Sequence, residues 1–223
     1  MNDEIGENLP RILVVDDFYA DVGGIVDFAK TCAYERSIYN STDGLTSALP
    51  HPSAISSLVR IGEILGVVPD VEAVSRLRQF WGYSGCGEFQ LRTEQNPHPG
   101  WVHSHNDGEW VGVVYLSSPP LESTRVGTYL LKHRRLNIHH FSQVQQSMKA
   151  ELLRDSTEFS QWDIIAAPDM KFNRLIAFDS RCFHAESPGF GSGPADGRLV
   201  QIFNFKSARG GRPPASRSHE VNL

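Results

Sequence analysis

The chain has 223 residues, 40% of them apolar and 21% charged, with a formal net charge of −5, which supports one well-buried domain and gives no general attraction to nucleic acid or an anionic membrane. Three widely spaced cysteines, Cys32, Cys86 and Cys182, spell neither a disulfide framework nor a zinc knuckle, as suits a reducing compartment. The leader MNDEIGENLP is acidic and polar, and no apolar run approaches the roughly 20 residues of a membrane span, so a cytoplasmic protein is expected.

RILVVDDF (11–18) is rich in β-branched residues and predicts a first strand, followed by a helix with Val22, Ile25, Val26, Ala29 and Cys32 on one face. Segment 39–52 is dense in turn formers and reads as a loop. Ser53 then stands where it can cap a helix carrying Ile55, Leu58, Ile61 and Leu65, and Asp70 can start another through Val74 and Leu77. From residue 81 short extended segments follow: EFQLRT, WVHSH, VGVVYL, GTYLLKHR, WDIIAA, RLIAFD and RLVQIFNF. One amphipathic helix over 141–156, with Phe141, Val144, Met148 and Leu152 on a face, interrupts them and is expected to cover one side of a sheet. The expectation is a single α+β domain over 1–206, with helical support at about 11–80 and a β core at about 81–206. The Gly-, Pro- and Ser-rich stretch 207–223 reads as a disordered tail.

The chemistry centres on WVHSHND (101–107). Alternate residues of a strand share a face about 6.6 Å apart, whereas residues four apart are separated by about 13 Å. A single ion with bonds of about 2.0–2.2 Å can therefore be chelated by His103 with His105, or by His105 with Asp107. The first pairing, extended to Glu109, matches the core of a cupin metal motif. The second matches the start of the two-histidine, one-carboxylate triad of non-haem Fe(II) oxygenases, which also needs a distal histidine. His184 follows an apolar strand late in the chain, and Arg198 begins the next one. Two neutral imidazoles and one carboxylate leave Fe(II) a net positive charge and an open face for a keto acid and dioxygen. The far carboxylate of 2-oxoglutarate then needs a permanently charged partner, which a guanidinium supplies.

In order and context, His105-x-Asp107, His184 and Arg198, with the strand AFDSRCFHA, resemble the 2-oxoglutarate- and Fe(II)-dependent oxygenases, especially their prolyl-hydroxylase-like branch. The resemblance covers about residues 87–206 and implies a double-stranded β-helix, or jelly roll, buttressed by the N-terminal helices. It implies His105, Asp107 and His184 as Fe(II) ligands, and Arg198 with Tyr115, in VGVVYL, at the distal carboxylate of 2-oxoglutarate. The Gly-Gly-x-Thr segment of that branch is present only in part, as RVGTYLLKHR, which leaves Thr128 and Tyr129 as pocket candidates. The implied reaction uses O2 and releases succinate and CO2 while hydroxylating, cyclising or desaturating an unactivated C–H bond. Asp107 favours hydroxylation, because related halogenases carry Gly or Ala there. The compact chain suits a small-molecule substrate such as an amino acid or natural-product precursor.

Two other readings stay open at this point. One is a cupin-type metalloenzyme built on His103, His105 and Glu109, and the other is a non-catalytic β-barrel that binds a small molecule. A Gly-x-Ser-x-Gly elbow and a phosphate-binding glycine loop are both absent from the sequence, and Cys182 reads as a small buried residue. His139 and His140 read as cap or loop residues.

Overall fold

The computed structural model describes residues 10–36, 44–105, 108–121 and 126–208. β1 (Ile12–Val15) leads into α1 (Val22–Thr31), where Asp21 accepts from the Gly24 N–H at 3.1 Å and caps the first turn. Two short strands, β2 (Tyr34–Glu35) and β3 (Leu45–Ser47), precede α2 (Ala54–Leu65) and α3 (Val71–Trp81). The strand-rich remainder comprises β4 (Cys86–Arg92), β5 (Trp110–Tyr115), β6 (Thr128–His133), β7 (Trp162–Ala166), β8 (Leu175–Asp179), β9 (His184–Glu186) and β10 (Arg198–Phe205). α4 (Lys149–Asp155) lies between β6 and β7.

All pairings within the two sheets are antiparallel: β1-β8-β5-β10-β4-β3-β2 in the larger and β7-β6-β9 in the smaller. The sheets face each other across an interior of Val111, Val113, Leu130, Ile176, Phe178, Val200 and Ile202, which makes a double-stranded β-helix. Strand alternation assigns each residue a face. Phe89, Val114, Leu199 and Phe203 therefore point away from the interior and pack with Ile25, Ala29, Leu58 and Ile61 of α1 and α2. Burial of that layer is what fastens the N-terminal helices to the barrel. Tyr129, Leu131, Trp162 and Phe183 form a third apolar layer on the outside of the smaller sheet, covered by Val144, Met148 and Leu152. No helix among the described residues is long and apolar enough to cross a membrane.

The expected helix over 141–156 is broken. Two 3-10 turns, Phe141–Gln143 and Gln146–Met148, precede α4. His140 and Gln143 form a reciprocal capping box that closes the first turn, and Val144 is extended with φ −75° and ψ 119°. The apolar spacing survives because these residues still cover the smaller sheet. Ser53 occupies the expected cap position of α2, but its hydroxyl lies 2.7 Å from His51 Nδ1 and does not cap the helix. Asp70 does cap α3, accepting from the Ala73 N–H at 2.8 Å. The expected loop over 39–52 contains β3, and residues 37–43 lie outside the described residues. Of the expected tail, Ser207 bridges Pro69 and the Ala208 N–H donates to the Val68 carbonyl at 2.7 Å; residues 209–223 lie outside the described residues.

Candidate functional site

His103 and His184 are opposed residues of an antiparallel bridge, exchanging N–H···O bonds of 3.0 and 2.9 Å. Directly opposed residues project to the same side, and His105 follows two residues after His103, so the three rings converge. Their centroids lie 4.3 Å apart for His103 and His184, 5.0 Å for His103 and His105, and 5.2 Å for His105 and His184. One nitrogen of each ring falls within 4.8 Å of the others. Three nitrogens bound to one ion at about 2.1 Å can all be no more than about 3.6 Å apart, so side-chain shifts of up to about 1 Å would close the set. The backbone beside His105 is fixed from the β8–β9 turn: its N–H donates to the Ser180 carbonyl at 2.8 Å, and Ser180 Oγ donates back to the His105 carbonyl at 3.0 Å.

Two of the rings have their tautomers dictated by the backbone. His103 Nδ1 lies 2.9 Å from the Trp101 carbonyl, and His184 Nδ1 lies 2.8 Å from the Cys182 carbonyl. A carbonyl only accepts, so both Nδ1 atoms carry a proton, which leaves Nε2 as the nitrogen of each ring that can ligate. Burial first, then the neighbouring His103 and His105, hold the His184 pKa well below the ordinary imidazole value, which keeps that ring neutral.

The other end of the same cleft is cationic. Arg198 is 1% exposed; its Nη2 donates to the Gly127 carbonyl at 2.9 Å, while Nε and Nη1 are buried without a partner. Such donors are costly to leave unmet. Arg92 stands directly across the β10–β4 ladder from Arg198 and is equally buried, its Nη2 donating to the His98 carbonyl at 2.7 Å. Glu186, on β9, is the acidic group whose field reaches Arg198. Two cations and one anion leave a formal charge of +1 for an anionic ligand to meet. Gly100 makes this packing feasible, because a β-carbon there would sit 2.0 Å from Glu186 Oε2 and 3.4 Å from Arg92 Nη1.

Tyr115 also reaches this end. Its hydroxyl donates to Thr128 Oγ1 at 3.1 Å, and burial raises its pKa against the opposing pull of Arg198, so it is a neutral phenol. Thr128, not the phenol, lines the cleft. Tyr129, its neighbour, points to the other side of the sheet and packs on Phe159 at a centroid distance of 5.6 Å. The cleft has an apolar side of Val111, Val113, Val200 and Ile202 and a polar side of Gln90, Thr128, Glu186 and Asn204.

Of the residues singled out in the sequence, His105 and His184 come together, and Arg198 and Tyr115 meet around Gly127 and Thr128. Asp107 lies outside the described residues. Glu109 is exposed and accepts from the Ser207 N–H at 2.9 Å, away from the three imidazoles, so the set His103, His105 and Glu109 is not assembled. Cys182 is 3% exposed, and burial pushes its thiol pKa up to about 12, so it is no nucleophile. Sequence reasoning missed Arg92, Glu186 and Gln90. Alternation places Gln90 and Arg92 on the interior face of β4, but the whole strand is buried, and nothing in the spacing marks them or Glu186 as site residues.

A second cluster, His133, Glu151 and Asp155, also places ligand-type atoms close together. Here both imidazole nitrogens are used: Nδ1 accepts from the Leu136 N–H at 3.2 Å, so Nε2 carries the proton and donates to Asp155 Oδ2 at 3.1 Å. Asp155 also pairs with Arg154, and Glu151 with Arg135. This is a saturated polar network that ties β6 to α4.

The profile of a family of unknown function, DUF6445, matches residues 2–203. The chain belongs to this family. No curated protein matches this DUF6445 member. Among solved structures, it is similar to a prolyl hydroxylase from Trichoplax adhaerens in complex with a hypoxia inducible factor oxygen degradation domain peptide fragment. That alignment covers 88% of the DUF6445 chain and 83% of the other, at 14% identity and a TM-score of 0.48.

Proposed function

We propose that this protein is an Fe(II)- and 2-oxoglutarate-dependent oxygenase acting on a C–H bond of a small molecule. The observation that carries the reading is the pairing, in one cleft, of convergent imidazoles at one end with a buried arginine whose Nε and Nη1 lack partners at the other. A metal-chelating acid with a second, distant carboxylate fits both ends at once. Imidazole donors suit iron, and the unmet guanidinium donors suit a carboxylate.

In this reading His105 and His184 hold the metal together with Asp107, and the bound iron and keto acid supply the oxidising chemistry. The protein's own residues set geometry. The Cys182 carbonyl orients the His184 ring, Ser180 pins the backbone at His105, and Arg198 anchors the distal carboxylate beside Thr128 and Tyr115. Val111, Val113, Val200 and Ile202 exclude water along one wall. The substrate in this reading is a small molecule, such as an amino acid or a natural-product precursor.

The test is anaerobic addition of Fe(II) and 2-oxoglutarate to the metal-free protein, followed by visible absorption. A weak charge-transfer band of the iron keto-acid chelate is expected in the wild type and lost in Asp107→Ala. Metal binding without any such band would overturn the 2-oxoglutarate assignment.

A further inference from the structure

We infer that His103 is a protein ligand of the metal, standing beside His105 and His184. The inference rests on the metal-centre half of the reading above and concerns the centre before a keto acid binds, since four protein ligands and a chelating keto acid would leave no position for dioxygen. Three observations on different levels converge on it.

First, the backbone pairs His103 with His184 directly, by two hydrogen bonds of 3.0 and 2.9 Å, so the two imidazoles share a face by construction. Second, the side-chain geometry already resembles a donor set, with ligand-type nitrogens of His103, His105 and His184 all within 4.8 Å. Third, His103 and His184 are prepared in the same way. Each donates Nδ1–H to the carbonyl two residues before it, at 2.9 and 2.8 Å, which leaves Nε2 as the nitrogen that can ligate. A metal-bound histidine nearly always donates its other ring N–H to a carbonyl or carboxylate, which fixes its tautomer and raises its basicity. A solvated strand histidine has no need of that arrangement. The buried His133 shows the contrast, with both nitrogens consumed by hydrogen bonds.

A third imidazole changes the chemistry of the site. It adds a neutral nitrogen donor where a carboxylate-only partner would add charge, so the set gains affinity along the Irving–Williams order, and Co(II) and Cu(II) are favoured over Mn(II).

The experiment uses the full chain, stripped of metal and titrated anaerobically with Co(II), with binding followed by calorimetry and by the d–d absorption bands. Wild type, His103→Ala and His184→Ala are compared. The expected result is a loss of roughly 100-fold in Co(II) affinity, with altered bands, in both variants. Wild-type affinity and unchanged bands in His103→Ala, beside a large loss in His184→Ala, would overturn the inference while leaving the metal centre intact. No Co(II) binding by the wild type would remove the metal centre itself, and with it the proposed function. Should His103→Ala fail to fold, electron spin echo modulation of the Cu(II)-loaded wild type counts coordinated imidazoles directly. Three are expected, and two would overturn the assignment.

Discussion

The two faces of the larger sheet are built from the same strands and follow opposite rules. On the helix side of β4 and β10, Phe89, Leu199 and Phe203 are fully buried among apolar neighbours. The one polar residue there, Gln201, is satisfied: it accepts from the Tyr19 hydroxyl at 2.6 Å and donates to the Gly87 carbonyl at 2.9 Å. One residue along, on the interior side, Arg92 and Arg198 oppose each other, and Arg198 keeps Nε and Nη1 without partners. Like charges directly opposed on a sheet are destabilising. The difference teaches where free energy goes. One face stabilises the fold, and the other buries a cation with unmet donors at a cost in stability.

That comparison can be broken by substitution on each face. Phe203→Ala, on the helix side, is expected to cost about 3–5 kcal/mol of unfolding free energy, read from chemical denaturation; a loss under about 1 kcal/mol would mean that the helices are not held there. Arg198→Met, on the interior side, is expected to leave the unliganded protein as stable as wild type or more so by about 1 kcal/mol, because it removes a partly unsatisfied buried charge. The same variant should bind 2-oxoglutarate at least about 100-fold more weakly, by calorimetry. Destabilisation of several kcal/mol would show instead that Arg198 is a structural residue.

A smaller effect lies at the sheet edge. Arg174 first, then Lys171, hold the Asp16 carboxyl far below the usual carboxylate range. A depressed folded-state pKa stabilises above the unfolded value of about 3.9 and loses that contribution as pH falls below it. Asp16 is 37% exposed on its side chain, so solvent screening keeps the effect small. Asp16→Asn should therefore melt slightly below wild type at pH 7, and the gap should shrink steadily as pH falls below about 4. A gap independent of pH would sink the assignment.

The fold was readable wherever one face of an element was buried. Period-two runs such as RLVQIFNF became β10, and the spacing of Ile55, Leu58 and Ile61 became α2. The break at Val144 was not readable, because apolar spacing records which residues face the sheet and not the hydrogen bonds that join them. At the site, the short spacing of His103 and His105 was visible in the chain, whereas the choice between their partners depends on a strand some 80 residues away. Arg92 and Glu186 were invisible for the same reason. Each is an ordinary charged residue until the ladder between β4 and β10, and the turn of β9 beneath Gly100, set it beside Arg198.

For the metal centre proposed above, the mutual backbone bonds of His103 and His184 would bear on how an ion is acquired. An ion gripping both rings closes a loop of almost no length, since the two residues are already joined through N–H and C=O on both sides. The entropy saved by such a closure is slight, so a metal bound there would add little to folding, unlike a structural zinc that organises its own domain. Metal exchange at such a centre would then be governed by solvent access and ligand chemistry rather than by refolding.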